Sequence, residues 1–292
     1  MDKKALLVIN RHSRKGKANF AQAVEMLDGL GFHLITTPVN DFAEFPNIIA
    51  KYREGIDLII VGGGDGTLNA IVDSLVGVNL PLGILPLGTA NDLARTLSIP
   101  TSIPEACRVI AGDYKKTIDL GLVNGKYFFN VASMGLSVKI TQKLTKGLKR
   151  RLGILAYAWT AIQVLSQTRP FHAEIRTDTG ESMFVKTLQI AVGNGRYYGG
   201  GMTIAEDAAI DDQRLDLYSL ELQKWWQIIP LLTALPKGSQ GLLPWVRTLS
   251  GHQISVSTRK AHSINTDGEI TVATPATFSV IPRALEIYAP RP

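Results

Sequence analysis

Near the N-terminus, short apolar runs recur at intervals that helical patterns fill, and this alternation restricts the chain to few folds. Residues 5–9 read Ala-Leu-Leu-Val-Ile, and residues 57–61 and 82–87 are similar runs. A strand without a polar face must be covered on both sides. A helical spacing through Phe20, Val24, Leu27 and Leu30 follows the first run and stops at Gly31, a residue suited to a helix C-cap. Residues 33–37 form a further strand, residues 42–52 a helix or irregular turn, and another helix opens near Thr67. Such strand–helix alternation predicts a parallel sheet with helices on both faces.

The texture changes after about residue 118. Residues 118–123, 127–132, 172–177, 183–192, 215–220, 253–258, 269–273 and 277–281 are mostly short strand-like segments with Gly or Asp turns. They predict an antiparallel sandwich or barrel, interrupted by one long helical pattern at 139–167. The expected organisation is an α/β domain followed by a β-rich domain, with a boundary at 118–125.

Charge and cysteine usage narrow the partners. Across 292 residues, 31 Lys and Arg against 25 Asp and Glu give a net charge of +6. That excess favours anionic partners without choosing among nucleotides, acidic lipid surfaces and nucleic acid. Cys107 is the single cysteine, which excludes a disulfide framework or a Cys-rich metal site and fits a reducing compartment. No stretch reaches the roughly 18–20 apolar residues of a membrane span, and the run at 5–9 is too short for a signal-peptide core. The chain reads as cytoplasmic, with peripheral contact at the inner membrane face left open.

Two loops carry the chemistry. Gly62-Gly63-Gly64-Asp65-Gly66-Thr67 follows a buried strand and opens a helix. Glycines there let the backbone approach a phosphate, and N–H groups at a helix start bind its charge. An acidic residue in an anion loop calls for a cation between them, so Asp65 is a candidate ligand for the Mg2+ that accompanies ATP. Taken alone, the cluster equally suits a turn that packs strand on helix. It is neither a dinucleotide fingerprint, since Thr67 stands at the third-glycine position, nor a Walker A loop. Pro86-Leu87-Gly88-Thr89-Ala90-Asn91-Asp92-Leu93-Ala94-Arg95 repeats the strand-to-helix context. Thr89, Asn91 and Asp92 offer a hydroxyl, an amide and a carboxylate, although helix capping alone would also explain Asn91 and Asp92. Two such turns at one sheet edge can converge on one ligand.

Together the loops resemble the diacylglycerol kinase catalytic-domain family, which includes soluble bacterial lipid kinases and sphingosine kinases. The first motif alone also looks like NAD kinases and, more loosely, phosphofructokinases. The second is more specific to lipid kinases. The resemblance implies a three-layer α/β nucleotide-binding domain over residues 1–120 plus about 285–292. An antiparallel β-sandwich domain with one long helix would occupy 121–284. It also implies ATP and Mg2+ as cofactors. Gly62, Gly63, Gly64, Asp65, Gly66, Thr67, Gly88, Thr89, Asn91 and Asp92 would hold the nucleotide, together with Asn10 in the first loop and either Thr36 or Thr37. Arg11 stands where the family usually has proline.

The acidic groups follow from the same resemblance. Glu269, in Asp267-Gly268-Glu269, matches the general base, with Asp267 in support and Asp65 sharing the catalytic work; read locally, Asp267-Gly268 is a hairpin turn. A Mg2+ away from the chemistry would be held by the Asp212 carboxylate and the carbonyls of Ala209 and Arg214, where a solvated acidic turn is the plainer reading. The family usually has Gly in place of Gln213 and an apolar residue in place of Arg214. The expected activity is transfer of the γ-phosphate of ATP to the hydroxyl of a diacylglycerol-like lipid, giving phosphatidic acid or a related phospholipid. A sphingoid base or NAD as acceptor, or a nucleotide-binding protein without catalysis, are the rivals. Expected partners are a lipid substrate at a membrane surface and, for a homodimer, a second copy of the chain. No RNA-binding signature accompanies the charge. The basic stretch Lys139, Lys143, Lys146, Lys149, Arg150 and Arg151 suits either an anionic bilayer or a solvated helix face. Trp225-Trp226 and the loop at 231–245 suit either a membrane contact or the core. His12 sits in the first loop, and the five histidines form no spaced metal cluster.

Overall fold

The computed structural model describes residues 3–9, 16–37, 42–143 and 168–291. Asn10, His12 and most of the 139–167 helical stretch lie outside the described residues. The chain divides into two compact units, Met1–Leu120 with Pro282–Pro292, and Gly121–Ile281.

The first unit runs β1 (Lys3–Ile9), α1 (Gly16–Gly29), β2 (Phe32–Thr36), α2 (Phe45–Tyr52), β3 (Leu58–Gly63), α3 (Asp65–Leu75), β4 (Leu82–Pro86), α4 (Asp92–Thr96), α5 (Ile103–Ala111) and most of β5 (Lys115–Val123). Its parallel sheet has the order β2-β1-β3-β4, with Ala5 level with both Leu34 and Leu58 and Val61 level with Ile84. Every residue of β3 and β4 is buried, as an all-apolar run requires. Helices α1 and α5 pack together, as do α2 and α3. The helix α5 escaped the sequence reading. Pro104 in its first turn looks like a breaker, yet a first-turn N–H has no intrahelical partner to lose.

Strand order locates the site. The chain leaves β1 towards β2 on one side and β3 towards β4 on the other, so the carboxyl ends of β1 and β3 form the switch point where open α/β sheets bind ligands. Ile9 and Gly62 lie level there.

The second unit continues with β6 (Lys126–Phe128), β7 (Val131–Gly135), α6 (Leu136–Lys143), β8 (Phe171–Thr177), β9 (Ser182–Thr187), β10 (Gln189–Gly193), the short pair β11 (Tyr197–Tyr198) and β12 (Met202–Thr203), and β13 (Leu215–Leu220). Then come α7 (Ile228–Ala234), β14 (Val246–Gly251), β15 (Gln253–Thr258), β16 (Ser263–Thr266), β17 (Glu269–Ala273) and β18 (Ala276–Tyr288). An antiparallel sheet of order β14-β13-β10-β7-β16-β17 faces a second sheet in which β18, β15, β8 and β9 are neighbours. Ala132, Met134, Ile190, Val192, Leu215, Leu217 and Ile264 from one meet Ala173, Ile175, Val185, Ile254, Val256 and Phe278 from the other. Alternating burial along β8 reflects the period of two expected of a sandwich strand. The stretch 183–192, one strand by its apolar pattern, is two, because β9 and β10 belong to different sheets.

The last strand, β18, runs on from the second unit into the first, where Ile287 pairs with Leu82 of β4 in parallel. Residues 231–245, read above as a loop, contain most of α7 and two 3-10 turns. Pro230 falls in the first turn of α7, where proline is tolerated. No helix of the described residues is long and apolar enough to cross a membrane.

Candidate functional site

The β3–α3 and β4–α4 turns meet through glycine backbone. A Cβ on Gly64 would lie 2.8 Å from Gly88 Cα, and one on Gly88 would lie 2.5 Å from Gly64 Cα. Neither position accepts a side chain unless the turns separate. Leu87 N–H donates to Gly63 O at 2.8 Å, which extends the sheet pairing into the turns. Asp65, the first residue of α3, accepts Leu93 N–H on Oδ1 at 3.2 Å. One carboxylate thus belongs to one helix and supports the start of the next.

Asn91 closes the second loop on itself. Its Oδ1 accepts Gly88 N–H at 2.8 Å and its Nδ2 donates to Gly88 O at 3.0 Å. The backbone at Asn91 is left-handed, φ 50°, a conformation Asn tolerates better than most residues. Its amide is therefore engaged with its own loop. Asp92 is buried beside it, and Thr89 and Gly66 are exposed. Thr67 turns inward: a Cβ on Gly63 would fall 2.5 Å from Thr67 Cβ, so this side chain packs on β3. At the end of β2, Thr36 is exposed, whereas Thr37 is hydrogen-bonded to Tyr52. Lys51 first, and Thr37 after it, hold the Tyr52 phenol below its usual range. Asn10 lies outside the described residues.

The resulting surface is a glycine-walled turn at the N-terminal end of α3, where Thr67 N–H turns back to Gly64 O at 2.9 Å and the N–H groups ahead of it precede any helical carbonyl that could accept them. A helix start walled by glycine backbone is a general type of anion-binding surface.

In the second unit, Asp267 and Glu269 stand one residue apart and do different things. The Asp267 carboxylate accepts three backbone N–H groups, from Phe129 at 2.7 Å, Asn130 at 2.9 Å and Val131 at 3.0 Å. Its own N–H donates to Val131 O at 3.0 Å. Gly268 N–H donates to Asn265 Oδ1 at 2.7 Å, which tightens the β16–β17 turn. Asp267 is thus an anchor. Glu269 opens β17 with its side chain exposed. No sequence spacing indicates that the 129–131 backbone is the partner of Asp267, since the two meet only through the β7–β16 pairing.

The acidic turn at 207–216 is built around an arginine. The Arg214 guanidinium lies 3.0 Å from Asp207 Oδ2, 3.1 Å from Asp216 Oδ1 and 3.7 Å from Asp212 Oδ2. Arg214 N–H also donates to Asp212 Oδ1 at 3.1 Å. Gln213, at the usual glycine position, adopts φ 59°. Burial pushes the Asp216 carboxyl up to about 6, with Arg214 pulling against it. A divalent cation at Asp212, Ala209 and Arg214 would meet a guanidinium that already balances the same carboxylates. These residues do not fit the ion that the resemblance implies. The physical reason is charge: an apolar residue at position 214 would leave the cluster without a cation, and arginine supplies one. Among the described residues, no group of three or more His, Cys, Asp or Glu side chains is arranged to hold a metal.

Residues 4–123 match the model of the diacylglycerol kinase catalytic domain, and residues 130–289 that of the YegS C-terminal NAD kinase beta sandwich-like domain. A protein of Yersinia enterocolitica named "Probable lipid kinase YegS-like" is 33% identical over 300 residues, covering 98% of this chain and 96% of its own.

The chain belongs to the diacylglycerol kinase catalytic-domain family.

A second member of this lipid-kinase family, named diacylglycerol kinase in Bacillus subtilis, is 31% identical over 301 residues, with 99% of this chain and 97% of that one covered. A crystal structure titled as a diacylglycerol kinase of Bacillus anthracis superposes with a TM-score of 0.78 at 23% identity, over 99% of this chain and 97% of that one. Yeast NADH kinase shares the fold alone, with a TM-score of 0.52 at 12% identity over 99% of this chain and 84% of its own. Membership makes the chain a lipid-kinase-like phosphotransferase, and kinase families use ATP.

Proposed function

We propose that this family member transfers the γ-phosphate of ATP, carried as its Mg2+ complex, to the hydroxyl of a diacylglycerol-like lipid. The products are phosphatidic acid or a related phospholipid, and ADP. The observation that carries the reading is the contact of Gly64 with Gly88, tied by Asp65 to Leu93 N–H. It joins the motif shared with other kinases to the motif of lipid kinases in one surface of glycine backbone.

Each group has a stated task. The glycine turns and the start of α3 hold the β- and γ-phosphates. Asp65 stands where the substrate's Mg2+ accompanies them, Thr89 and Asp92 lie on the second loop, and Thr36 ends β2. The lipid oxygen attacks the γ-phosphorus in line, the bond from that phosphorus to the bridging oxygen of ADP breaks, and Glu269 receives the hydroxyl proton. Asp267 fixes the turn that carries Glu269. The chain acts from the cytoplasm on a lipid at the inner membrane face.

The test incubates the purified chain with labelled ATP, Mg2+ and a panel of lipid alcohols in mixed micelles, alongside NAD. A labelled diacylglycerol product supports the reading. Label entering only a sphingoid base or NAD assigns a different acceptor, and no transfer to any alcohol removes the kinase.

A further inference from the structure

We infer that the segment from Leu222 to Val246 docks on an anionic bilayer through the outer face of α7 and the turns that flank it. Six large apolar side chains are strongly exposed among the described residues, and four belong to this segment: Trp226 at 46%, Ile229 at 58%, Leu232 at 45% and Leu242 at 84%. The opposite face of α7 is already used. Ile228 and Leu231 are buried with Ala191, Tyr218 and Leu220 against the outer side of the six-stranded sheet. A helix apolar on both faces, with one face in the core, has a second partner to meet.

The chemistry of that partner is set by charge and by aromatic placement. Between Leu222 and Val246 the sequence carries Lys224 and Lys237 and no Asp or Glu. The Lys224 ammonium lies 5.8 Å from the Trp226 ring centroid, and Trp245 meets Trp226 edge-on at 6.5 Å. With the exposed neighbour Glu206 counted against Lys224 and Lys237, the patch keeps an excess of positive charge. Glu221 is ion-paired with Arg247 at 2.9 Å, and Glu206, exposed, lies with its backbone beside Gly238. Tryptophan and lysine over an apolar face are the side chains that settle at the boundary of headgroups and acyl chains.

The patch is presented by a fixed backbone. Gln240 Nε2 donates to Thr203 O at 3.0 Å and also to Ile204 O, and Thr203 Oγ1 donates to Pro236 O at 3.1 Å. Gln227 Oε1 accepts both Gln223 N–H and Lys224 N–H, at 2.7 and 2.8 Å. Little ordering then opposes docking.

This inference gives the proposed lipid kinase its membrane partner and rests on that reading only for its purpose. Its test reads binding, not catalysis. The full chain is sedimented with vesicles of phosphatidylcholine alone and of phosphatidylcholine with phosphatidylglycerol. Binding to the anionic vesicles is expected, about tenfold weaker after Leu242→Ser and lost after Trp226→Ala with Ile229→Ser. Lys224→Gln costs about fivefold, and Leu242→Phe restores binding. Unchanged thermal unfolding of each variant, and unchanged phosphorylation of a water-soluble short-chain diacylglycerol, show that only docking was lost. Wild-type chain left in the supernatant, variants that bind as the wild type does, or substitutions that convert a dimer to a monomer overturn the proposal.

Discussion

Asp65 accepts the backbone N–H of Leu93 at 3.2 Å, so one acidic side chain joins two loops that are separate in the chain. The bracing of the second loop and the cation-facing role proposed for this carboxylate come apart on mutation. Asp65→Asn keeps an acceptor for Leu93 and loses the charge. Thermal stability should change little, while turnover with ATP and diacylglycerol falls by orders of magnitude. Asp65→Ala should in addition lower stability by about 1 kcal/mol, the cost of a lost helix cap. Denaturant unfolding and a coupled ADP assay read the two effects separately.

The glycine contact makes a steric prediction. Gly88→Ala places a methyl 2.5 Å from Gly64 Cα and 2.7 Å from Asn91 Oδ1. The turns must spread, at about 1–3 kcal/mol for an overpacked contact. ATP affinity measured by calorimetry should drop at least about tenfold. A variant that binds ATP as the wild type does would show that the turns are not the phosphate site.

Asp267 and Glu269 should respond oppositely. Asp267→Ala leaves three backbone N–H groups without their acceptor and should cost about 3 kcal/mol or more, seen as a lower denaturation midpoint. Glu269→Gln removes an exposed carboxylate and should leave the midpoint alone. Its turnover should fall about 10²–10⁴-fold with ATP binding retained, as for a lost general base.

Arg214 answers for the acidic turn. If its guanidinium already balances Asp207, Asp212 and Asp216, thermal unfolding should be the same in chelator and in Mg2+. Arg214→Leu should lower stability by about 1–3 kcal/mol, less than a fully buried pair would cost because Arg214 and Asp207 face solvent, and Mg2+ or Ca2+ should then restore part of it. Wild-type chain that unfolds earlier in chelator sinks this assignment.

Cys107 supplies a pH probe. It is buried in α5, and burial pushes its thiol up to about 11. The folded value lies above the unfolded one, so the stability tied to this group is full below about pH 9 and is lost as pH rises through about 11. Labelling by a thiol reagent at pH 8 should be negligible in the folded chain and quantitative in denaturant. Cys107→Ala should flatten the alkaline limb of the stability profile.

The sequence by itself determined the layers and the loops. Apolar runs at 5–9 and 82–87 call for strands covered on both faces, and Leu215–Leu220 and Gln253–Thr258 emerge as strands with the expected bounds. Glycines beside Asp65 and Asn91 announce a turn that nothing bulkier could make, because these are local properties of backbone and period. Which partner each polar group takes was decided only in three dimensions. Leu93 N–H for Asp65, the 129–131 backbone for Asp267 and the Arg214 guanidinium for three carboxylates all depend on which segments become neighbours. The strand at 183–192 divides, and residues near 231 become a helix, for the same reason. Sheet membership and the outer face of the sandwich are long-range outcomes, and a local pattern of apolar residues reads the same wherever its partner lies.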